Sequence, residues 1–324
     1  MQATSQAQPN IALVKYWGKR DHVNNLPATG SLSLTLSTLW TRMTVEFATR
    51  TSTDTSADEL VVNGEPAGEM LPRVRACLDH VAGPGRPSAR IASECNFPIG
   101  AGLASSASAF AALAVAASKA DGRSTDRLTL ARIAGRASGS AARSLYPGIV
   151  ELHAGDRDIE LTGLAAPGDW PLTVTVAVTS TRSKRLGSGA AMTISRETSP
   201  FFKAWVERQA DDLAAARQAV AQRDFAALAA VAEHNCLKMH SVMWTSRPAI
   251  VYWSDATLAC LETVRSLQGR DLPAFFTIDA GPQVKVVSLP EFAGDVAAAL
   301  RDTPGVVDVM QSGLGDGARI LEYG

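Results

Sequence analysis

Short stretches in which apolar and polar residues alternate predict β-strands along the whole chain. The clearest strand is residues 172–180, which read LTVTVAVTS. Further strands are predicted at residues 31–39, 42–48, 90–95, 149–153, 275–278 and 284–288, followed by a last pair of short strands. Residues 50–58 are rich in Thr, Ser and Asp, so we expect a solvated loop or hairpin tip there.

Apolar residues three and four positions apart predict α-helices at residues 69–81, 126–137, 200–222, 225–239, 253–267 and 290–301. Residues 102–120 are rich in alanine and predict a further, buried helix. Serines interrupt this stretch, which is too weakly hydrophobic to be a membrane span. Because strands and helices follow each other without a regular βαβ rhythm, the pattern favours the α+β class over a doubly wound parallel sheet.

The length of the chain, 324 residues, suggests one large domain or two domains in close contact. A hydrophobic share of 46% is enough for a sizeable core. The pattern changes character near residues 179–189, so we expect residues 1–185 and 186–324 to form the two halves of the molecule.

The charge and the cysteine content of the chain limit the classes of binding partner and the cellular compartment that we expect. The chain has 31 basic and 32 acidic side chains, a net charge of -1 and no polybasic arm, so nothing favours nucleic-acid or membrane partners. The four cysteines have neither zinc-site nor disulfide-scaffold spacing, and we see no secretory signal at the N-terminus. We therefore expect a cytoplasmic protein.

The stretch PIGAGLASSA at residues 98–107 has the features of a phosphate-binding loop. Gly100 and Gly102 allow the backbone to approach a ligand closely. The unpaired N–H groups and the positive dipole end of the following helix would face that ligand, with hydroxyl donors from Ser105 and Ser106. A glycine turn that packs tightly before a helix has the same pattern. No Lys follows the glycines, so this is not the G-x-x-x-x-G-K-[ST] loop.

This stretch resembles the P-x-x-x-G-L-x-S-S-A nucleotide loop of the GHMP kinase superfamily. The resemblance implies a GHMP kinase fold, with an N-terminal ribosomal-protein-S5-like half, a C-terminal α/β half and the active-site cleft between them. It implies ATP and Mg²⁺ as cofactors, with no protein side chains assigned to the metal. The nucleotide-binding residues that it implies are Pro98, Gly100, Ala101, Gly102, Leu103, Ala104, Ser105 and Ser106.

Three further segments resemble one branch of that superfamily, the diphosphomevalonate decarboxylases. Residues 15–19 resemble the K-Y-W-G-K signature, residues 137–144 resemble G-S-G-S-A-C-R-S, and residues 276–282 resemble F-x-x-D-A-G-P. A looser likeness joins residues 186–200 to the segment that touches the substrate diphosphate. The segments occur in the family's order, although Thr29 and Gly30 stand where the family has Asn and Ser.

The resemblance assigns the catalytic roles to Asp279, Lys15 and Arg143. Asp279 would accept the proton of the substrate hydroxyl or orient its oxygen, and Lys15 would keep that carboxylate ionised. Arg143 would hold the substrate carboxylate with two parallel hydrogen bonds. From their residue types alone, these three positions also fit surface charges and a turn-forming Asp. The implied substrate-binding residues are Tyr16, Lys19, Ser138, Ser140, Ser188 and Met192.

The function that the resemblance implies is ATP-dependent decarboxylation of mevalonate 5-diphosphate. The tertiary hydroxyl is phosphorylated transiently, and isopentenyl diphosphate, ADP, phosphate and carbon dioxide are the products. The alternatives are a decarboxylase of mevalonate 5-phosphate that gives isopentenyl phosphate, a mevalonate-type kinase, and a catalytically silent regulator on the same fold. The partners implied are a small phosphorylated substrate and a second copy in a homodimer.

Several charged or metal-ligating residues stay outside this assignment. Candidate cations for the terminal phosphate are Lys19, Arg73 and Arg75. Lys184 and Arg185 could also supply charge to a phosphate, but we interpret them as solvated loop cations. The spacing of His234, Cys236 and His240 does not fit a zinc site, so we expect this helix to pack beside the substrate pocket with Trp244 and Trp253.

Overall fold

The computed structural model describes residues 1–48, 57–99, 102–182 and 184–324, and its mixture of helices and sheets confirms the α+β class. Most of the loop predicted at residues 50–58 lies outside the described residues, as do Gly100 and Ala101. Among the described residues, no helix is long and apolar enough to cross a membrane.

The described residues form eight α-helices, which include all the predicted ones. They are α1 (Leu71–Ala82), α2 (Ser105–Ala120), α3 (Arg127–Ala137), α4 (Ser188–Thr198), α5 (Phe202–Gln222), α6 (Phe225–Trp244), α7 (Asp255–Gln268) and α8 (Ala293–Arg301). Helix α4 was not predicted, because its first turn consists of small residues without a clear apolar stripe. Short 3₁₀ turns occur at Gly68–Met70, Ala141–Leu145 and Pro290–Phe292.

The strands form three main sheets and one two-stranded ribbon. A six-stranded sheet has the order β16-β1-β6-β9-β7-β8, and two four-stranded sheets have the orders β11-β10-β5-β2 and β13-β14-β12-β15, while β3 pairs with β4. The strands are β1 (Gln2–Ala7), β2 (Asn10–Val14), β3 (Lys19–Asp21), β4 (Leu26–Pro27), β5 (Ser31–Thr35), β6 (Thr41–Phe47), β7 (Glu59–Val62), β8 (Glu65–Pro66), β9 (Ala89–Cys95), β10 (Ile149–Ala154), β11 (Ile159–Ala165), β12 (Thr173–Val178), β13 (Ala274–Ile278), β14 (Val284–Ser288), β15 (Asp308–Ser312) and β16 (Arg319–Tyr323).

Strand β1 is an interior strand made largely of polar residues, which is why alternation did not reveal it. It pairs with β16 on one side and β6 on the other. Its polar side chains have tertiary partners, since Ser5 Oγ donates to the Ala112 carbonyl at 2.6 Å and Gln6 accepts from Arg42 Nε at 3.1 Å. Buried polar groups are tolerated when they are hydrogen-bonded in this way.

The Ala-rich helix α2 lies against β1 and β6 at the centre of the N-terminal half. Its alanines are almost all buried, and their small side chains let the helix approach the sheet closely. Ser108 is satisfied inside this packing by a 2.7 Å hydrogen bond with Thr41. The sheet therefore fixes the position of the first turn of α2, where the phosphate loop ends.

The two halves share elements across the predicted boundary. Strand β12 precedes residue 185 and yet pairs with β14 and β15, while β16, at the end of the chain, pairs with β1. The division into residues 1–185 and 186–324 remains a prediction. Residues from before and after the predicted boundary line the cleft that contains the site.

We predict that Gly148→Ala destabilises the fold strongly. Gly148 has a φ of +64°, and a Cβ placed on it would lie 2.1 Å from the Ala165 carbonyl oxygen. Left-handed strain and overpacking together should lower the free energy of unfolding by at least about 2 kcal/mol, measured by urea denaturation. Gly163→Ala in β11 is the control, since nothing lies within 4 Å of the added Cβ. Equal stability of the two variants would contradict the account.

Candidate active site

A cavity of about 680 Å³ lies between residues of the two predicted halves, a volume within the usual range for small-molecule sites. Its walls come from the loop after β2, the first turn of α2, the residues around the 3₁₀ turn at 141–145, the start of α4 and the turn after β13. The predicted site residues that line it are Lys15, Tyr16, Lys19, Gly102, Ala104, Ser105, Ser106, Ser138, Ser140, Arg143, Ser188, Met192 and Asp279.

Two of the predicted nucleotide-binding residues, Leu103 and Pro98, are not part of this lining. Leu103 is 1% exposed and its side chain packs in the apolar core, so it supports the loop from behind. Pro98 is half-buried and lies outside the cavity wall. Gly100 and Ala101 lie outside the described residues.

The Asp279 carboxylate lies between two buried lysines at the end of β13. Lys15 Nζ donates to Asp279 Oδ1 at 2.7 Å, and Lys285 Nζ lies 3.3 Å from Oδ2, an ion-pair distance without hydrogen-bond alignment. Burial alone would raise the pKa of Asp279, but the two ammonium groups outweigh it and hold the pKa well below its usual value. The carboxylate is therefore ionised at neutral pH, and it lines the cavity.

The backbone of Lys15 is held by two helices of the C-terminal half. Its N–H donates to Asn235 Oδ1 of α6 at 2.7 Å, and its carbonyl accepts from Gln209 Nε2 of α5 at 2.7 Å. The ammonium group also donates to the Ala12 carbonyl at 2.8 Å. The position of this lysine is thus fixed by contacts with both halves before any ligand binds.

Lys285 is a site residue that the sequence analysis missed. It is the second residue of β14, is fully buried, and donates to the Gly102 carbonyl of the phosphate loop at 2.9 Å. The phosphate loop carries no lysine of its own, yet one reaches it from a distant strand. The signal in the sequence was a lysine inside the otherwise apolar run VKVV after the D-A-G-P turn.

The Arg143 guanidinium is 1% exposed and held at the floor of the cavity. Its Nη1 donates to Ser31 Oγ at 2.6 Å, and its Nε lies 3.0 Å from Ser33 Oγ and 3.2 Å from Asn10 Oδ1. Burial lowers the pKa of Arg143 to about 10, so it remains charged at neutral pH. Within the described residues its Nη2 makes no hydrogen bond, so the edge formed by Nη1 and Nη2 can still take an anion.

The Tyr16 hydroxyl is buried and has no hydrogen-bond partner among the described residues. The Arg143 guanidinium carbon lies 5.9 Å from the centre of its ring. Burial raises the pKa of Tyr16 to about 12, although the Arg143 charge opposes the shift. A protonated phenol beside a cavity, without an internal partner, is available to donate to a ligand.

The N-terminal first turn of α2 faces the cavity. Ala104 precedes the helix in the left-handed conformation, at a φ of +55°, and makes no side-chain cap. Gly102 has a φ of +81°, which favours glycine. Ser105 and Ser106 line the cavity, and Ser106 Oγ lies 3.2 Å from Ser138 Oγ. This arrangement suits an anionic group.

A second group of cations lies around the rest of the cavity. Lys19 and Arg73 line it, and burial together with the Arg73 charge lowers the pKa of Lys19. Arg75 is not part of the lining, and its Nε pairs with Asp58 at 3.0 Å. His22 and Arg136 also line the cavity, and the sequence analysis had not singled them out.

The interpretation of Lys184 as a solvated loop cation is wrong. Its ammonium group donates to Ser188 Oγ at 2.7 Å and to the Ala280 carbonyl at 3.3 Å, and the residue lines the cavity. Burial and the nearby Lys285 charge lower its pKa, while Asp279 opposes the shift. Arg185 is exposed and outside the lining, as predicted.

Neither Thr29 nor Gly30 belongs to the cavity lining. Thr29 is buried, and a Cβ on Gly30 would lie 2.6 Å from Leu213 Cδ2 and 2.9 Å from the Leu152 carbonyl oxygen. A residue larger than glycine would clash here, so this departure from the family pattern belongs to the packing between the halves.

Helix α6 carries no metal cluster among the described residues. His240 Nε2 lies 3.2 Å from the Ile278 carbonyl and 3.3 Å from Trp253 Nε1, and its ring packs against Trp244 and Trp253 in a tilted orientation. Burial lowers its pKa to about 3, so the ring is neutral. The helix packs beneath the strand that carries Asp279, and Met239 reaches the cavity wall.

The oxygen atoms that line the cavity fit a metal ion that is held mainly by the phosphates of a bound nucleotide. Mg²⁺ is usually held by one or two carboxylates, hydroxyls, water and substrate phosphates. Asp279 is the one carboxylate in the cavity lining within the described ranges, and both its oxygens face lysines. Ser105 and Ser106 are therefore the side chains that fit Mg²⁺ held by nucleotide phosphates.

Known proteins of one family are similar to this chain along most of its length. Residues 7–162 match the diphosphomevalonate decarboxylase-like N-terminal domain, and residues 174–314 match the mevalonate 5-diphosphate decarboxylase C-terminal domain. The chain is 36% identical to diphosphomevalonate decarboxylase mvd1 of Aspergillus fumigatus over 323 residues, which cover 92% of this chain and 80% of that protein.

Solved structures give the same picture. Mevalonate diphosphate decarboxylase from Staphylococcus aureus is similar with a TM-score of 0.91 and 31% identity, over 99% of this chain and 98% of that one. The structure of MDDEF in complex with MVAPP, AMPPCP and magnesium has a TM-score of 0.91 and 30% identity, over 100% and 99% of the two chains.

Proposed function

The chain belongs to the diphosphomevalonate decarboxylase family, with its GHMP kinase fold, and on that premise we propose that it decarboxylates mevalonate 5-diphosphate in an ATP-dependent reaction. The products are isopentenyl diphosphate, ADP, phosphate and carbon dioxide. The observation that carries the proposal is the ionised Asp279, paired with Lys15 and Lys285 in the same cavity as the first turn of α2.

The chemistry requires a leaving group, because a saturated 3-hydroxy acid has no electron sink for its carboxylate. The tertiary hydroxyl oxygen first attacks the γ-phosphorus of ATP, and ADP leaves. The bond between carbon 3 and the new phosphate oxygen then breaks, and phosphate takes the electron pair. The carbon–carbon bond to the carboxylate supplies electrons to the new double bond, and carbon dioxide leaves. The diphosphate at position 5 does not react.

Asp279 orients the tertiary hydroxyl and accepts its proton. A carboxylate with a strongly lowered pKa is a weak base, which suits phosphoryl transfer, since positioning and charge neutralisation contribute most to that step. Nucleotide phosphates beside Lys15 and Lys285 would add negative charge to the same cluster and raise the pKa of Asp279. The proton acceptor thus becomes more basic when the nucleotide is bound.

Arg143 holds the substrate carboxylate at the floor of the cavity with the edge formed by its Nη1 and Nη2. Its Ser31, Ser33 and Asn10 partners fix the plane of the guanidinium, so the carboxylate is presented in one orientation. Tyr16 donates from its unpartnered hydroxyl to the same substrate. This orientation aligns the carbon–carbon bond to the carboxylate with the carbon–oxygen bond to the departing phosphate.

Each of the remaining cavity residues binds either ATP or the phosphorylated substrate. Gly102, Ala104, Ser105 and Ser106 receive the ATP phosphates at the first turn of α2. Mg²⁺, bound to those phosphates, would neutralise charge that develops during transfer. Lys19 and Arg73 bind the substrate diphosphate. The residues that complete the substrate site are Ser138, Ser140, Ser188 and Met192.

We further propose that the chain acts in the cytoplasm as a homodimer. The four cysteines are free thiols, and three of them are buried, as is typical of proteins in reducing compartments. The dimer rests on family resemblance alone, and light scattering would test it.

The first prediction concerns the reaction itself. The purified chain with ATP, Mg²⁺ and mevalonate 5-diphosphate should release carbon dioxide and ADP in equal amounts, measured by trapping carbon dioxide and by a coupled ADP assay. Mevalonate 5-phosphate is the comparison substrate. Faster release from the monophosphate would favour the sister activity, and ADP formation without carbon dioxide would show a kinase.

The second prediction concerns Asp279→Asn. Loss of the proton acceptor should lower kcat by about 10²- to 10⁴-fold. ATP and substrate binding should stay within about tenfold, since the cations of the cavity remain. Asp58→Asn is the control, because Asp58 is also a largely buried carboxylate in an ion pair but lies outside the cavity lining. Near-normal turnover of Asp279→Asn would contradict the assigned role.

The third prediction compares two arginines of helix α1. Arg73→Gln should raise the KM for mevalonate 5-diphosphate by roughly tenfold, the cost of one charge-assisted hydrogen bond, with a smaller effect on the KM for ATP. Arg75→Gln should leave both values unchanged, because Arg75 pairs with Asp58 outside the cavity. The same effect from both variants in steady-state kinetics would rule out a specific diphosphate contact.

A further inference from the structure

Lys285 contacts both the phosphate loop and Asp279 without lining the cavity itself. Its side chain is fully buried. Its ammonium group donates to the Gly102 carbonyl at 2.9 Å and lies 3.3 Å from Asp279 Oδ2. Both of those partners line the cavity, whereas Lys285 lies behind them. Lys285 can therefore act on a ligand through Gly102, through Asp279 and through its charge, but not by direct contact.

The surroundings of Lys285 in β14 would suit an apolar side chain. Val284, Val286 and Val287 are fully buried on either side of it, and Thr277 and Val176 are its partners on the neighbouring strands. Removing an ammonium group from water costs several kcal/mol unless its new partners compensate. A well-packed apolar residue at such a position is often neutral or stabilising. General stability therefore does not explain the lysine.

The phosphate loop and the turn that carries Asp279 are in direct contact. A Cβ built on Gly102 would lie 3.1 Å from the Cα of Gly281. The Gly281 N–H in turn donates to the Asp279 carbonyl at 2.8 Å. The Lys285 ammonium group bridges this contact, because one of its partners belongs to the loop and the other to the turn.

The Lys285 ammonium group also adds positive charge to the part of the cavity where the nucleotide and the substrate would meet. Lys15, Lys184 and Lys285 all lie close enough to Asp279 for their charges to interact with it. One carboxylate cannot neutralise three ammonium groups, so the cluster attracts a further anion. Lys285 is the member of the cluster that also holds the phosphate loop.

Resting on the proposed function, we infer that Lys285 is a positioning residue that fixes the distance between the phosphate loop and the Asp279 carboxylate. It thereby aligns the γ-phosphoryl group of ATP with the hydroxyl oxygen that attacks it. Displacing reacting groups by about 1 Å can cost on the order of 10²-fold in rate. The role predicts effects on nucleotide binding and phosphoryl transfer, with little effect on substrate affinity, because other residues hold the carboxylate and the diphosphate of the substrate.

The test is Lys285→Met, which removes the charge and the hydrogen bond but keeps a long apolar side chain. The variant should lose on the order of 10²-fold in kcat, and the KM for ATP should rise roughly tenfold. Binding of mevalonate 5-diphosphate alone, measured by calorimetry, should be unchanged. Lys285→Arg keeps the charge, and its kcat should be at least about tenfold higher than that of Lys285→Met. Lys285→Gln is a second neutral variant if the Met variant does not fold.

Arg86→Met is the control for the loss of a buried cation. Arg86 forms an ion pair with Asp58 at a distance of 2.8 Å, and neither residue lines the cavity. This variant should lower the melting temperature without changing kcat or the KM for ATP. Wild-type kcat and ATP KM in a folded neutral variant of Lys285 would overturn the inference. An equal loss of affinity for mevalonate 5-diphosphate and for ATP would also overturn it, because that result indicates general distortion.

A binding measurement separates this inference from the proposed function. The affinity for the nucleotide analogue AMPPCP with Mg²⁺ can be measured without turnover, and Lys285→Met should weaken it roughly tenfold. If the wild-type chain releases no carbon dioxide, the proposed function is wrong, while this loss of analogue affinity still supports the positioning role. Unchanged analogue affinity would count against Lys285 even in an active enzyme.

Discussion

A carboxylate held between two buried ammonium groups determines the electrostatics of the whole cleft. Asp279 faces Lys15 at 2.7 Å and Lys285 at 3.3 Å, and these two charges keep it ionised. Charges removed from water are stable only in close, well-oriented pairs. With Lys184 and Arg143 nearby, the positive charge of the cleft exceeds its negative charge. A polyanion such as a nucleotide restores the balance.

This ion cluster also joins the two halves of the molecule. Lys15 follows β2 of the sheet β11-β10-β5-β2, whereas Asp279 follows β13 and Lys285 lies in β14 of the sheet β13-β14-β12-β15. Helices α5 and α6 hold the Lys15 backbone on both sides. The proton acceptor and the phosphate loop therefore keep their separation only while both halves are folded against each other.

The sequence predicted the parts of the site that occur in local motifs at the ends of elements, such as Lys15, Arg143 and Asp279. It did not predict Lys285, because that contact depends on how distant segments pack together. It could not separate Arg73 from Arg75 either, since residues two apart on a helix face different sides and the motif does not say which side meets the cleft. The polar strand β1 was missed because its partners are tertiary.

The most direct test of the account is a crystal structure of the chain with AMPPCP, Mg²⁺ and mevalonate 5-diphosphate. The account predicts that an Asp279 carboxylate oxygen lies within about 3.2 Å of the tertiary hydroxyl oxygen, on the side facing the γ-phosphate. It also predicts that the nucleotide phosphates contact the first turn of α2. A structure in which Asp279 contacts no substrate oxygen, or in which the phosphates bind elsewhere, would contradict it.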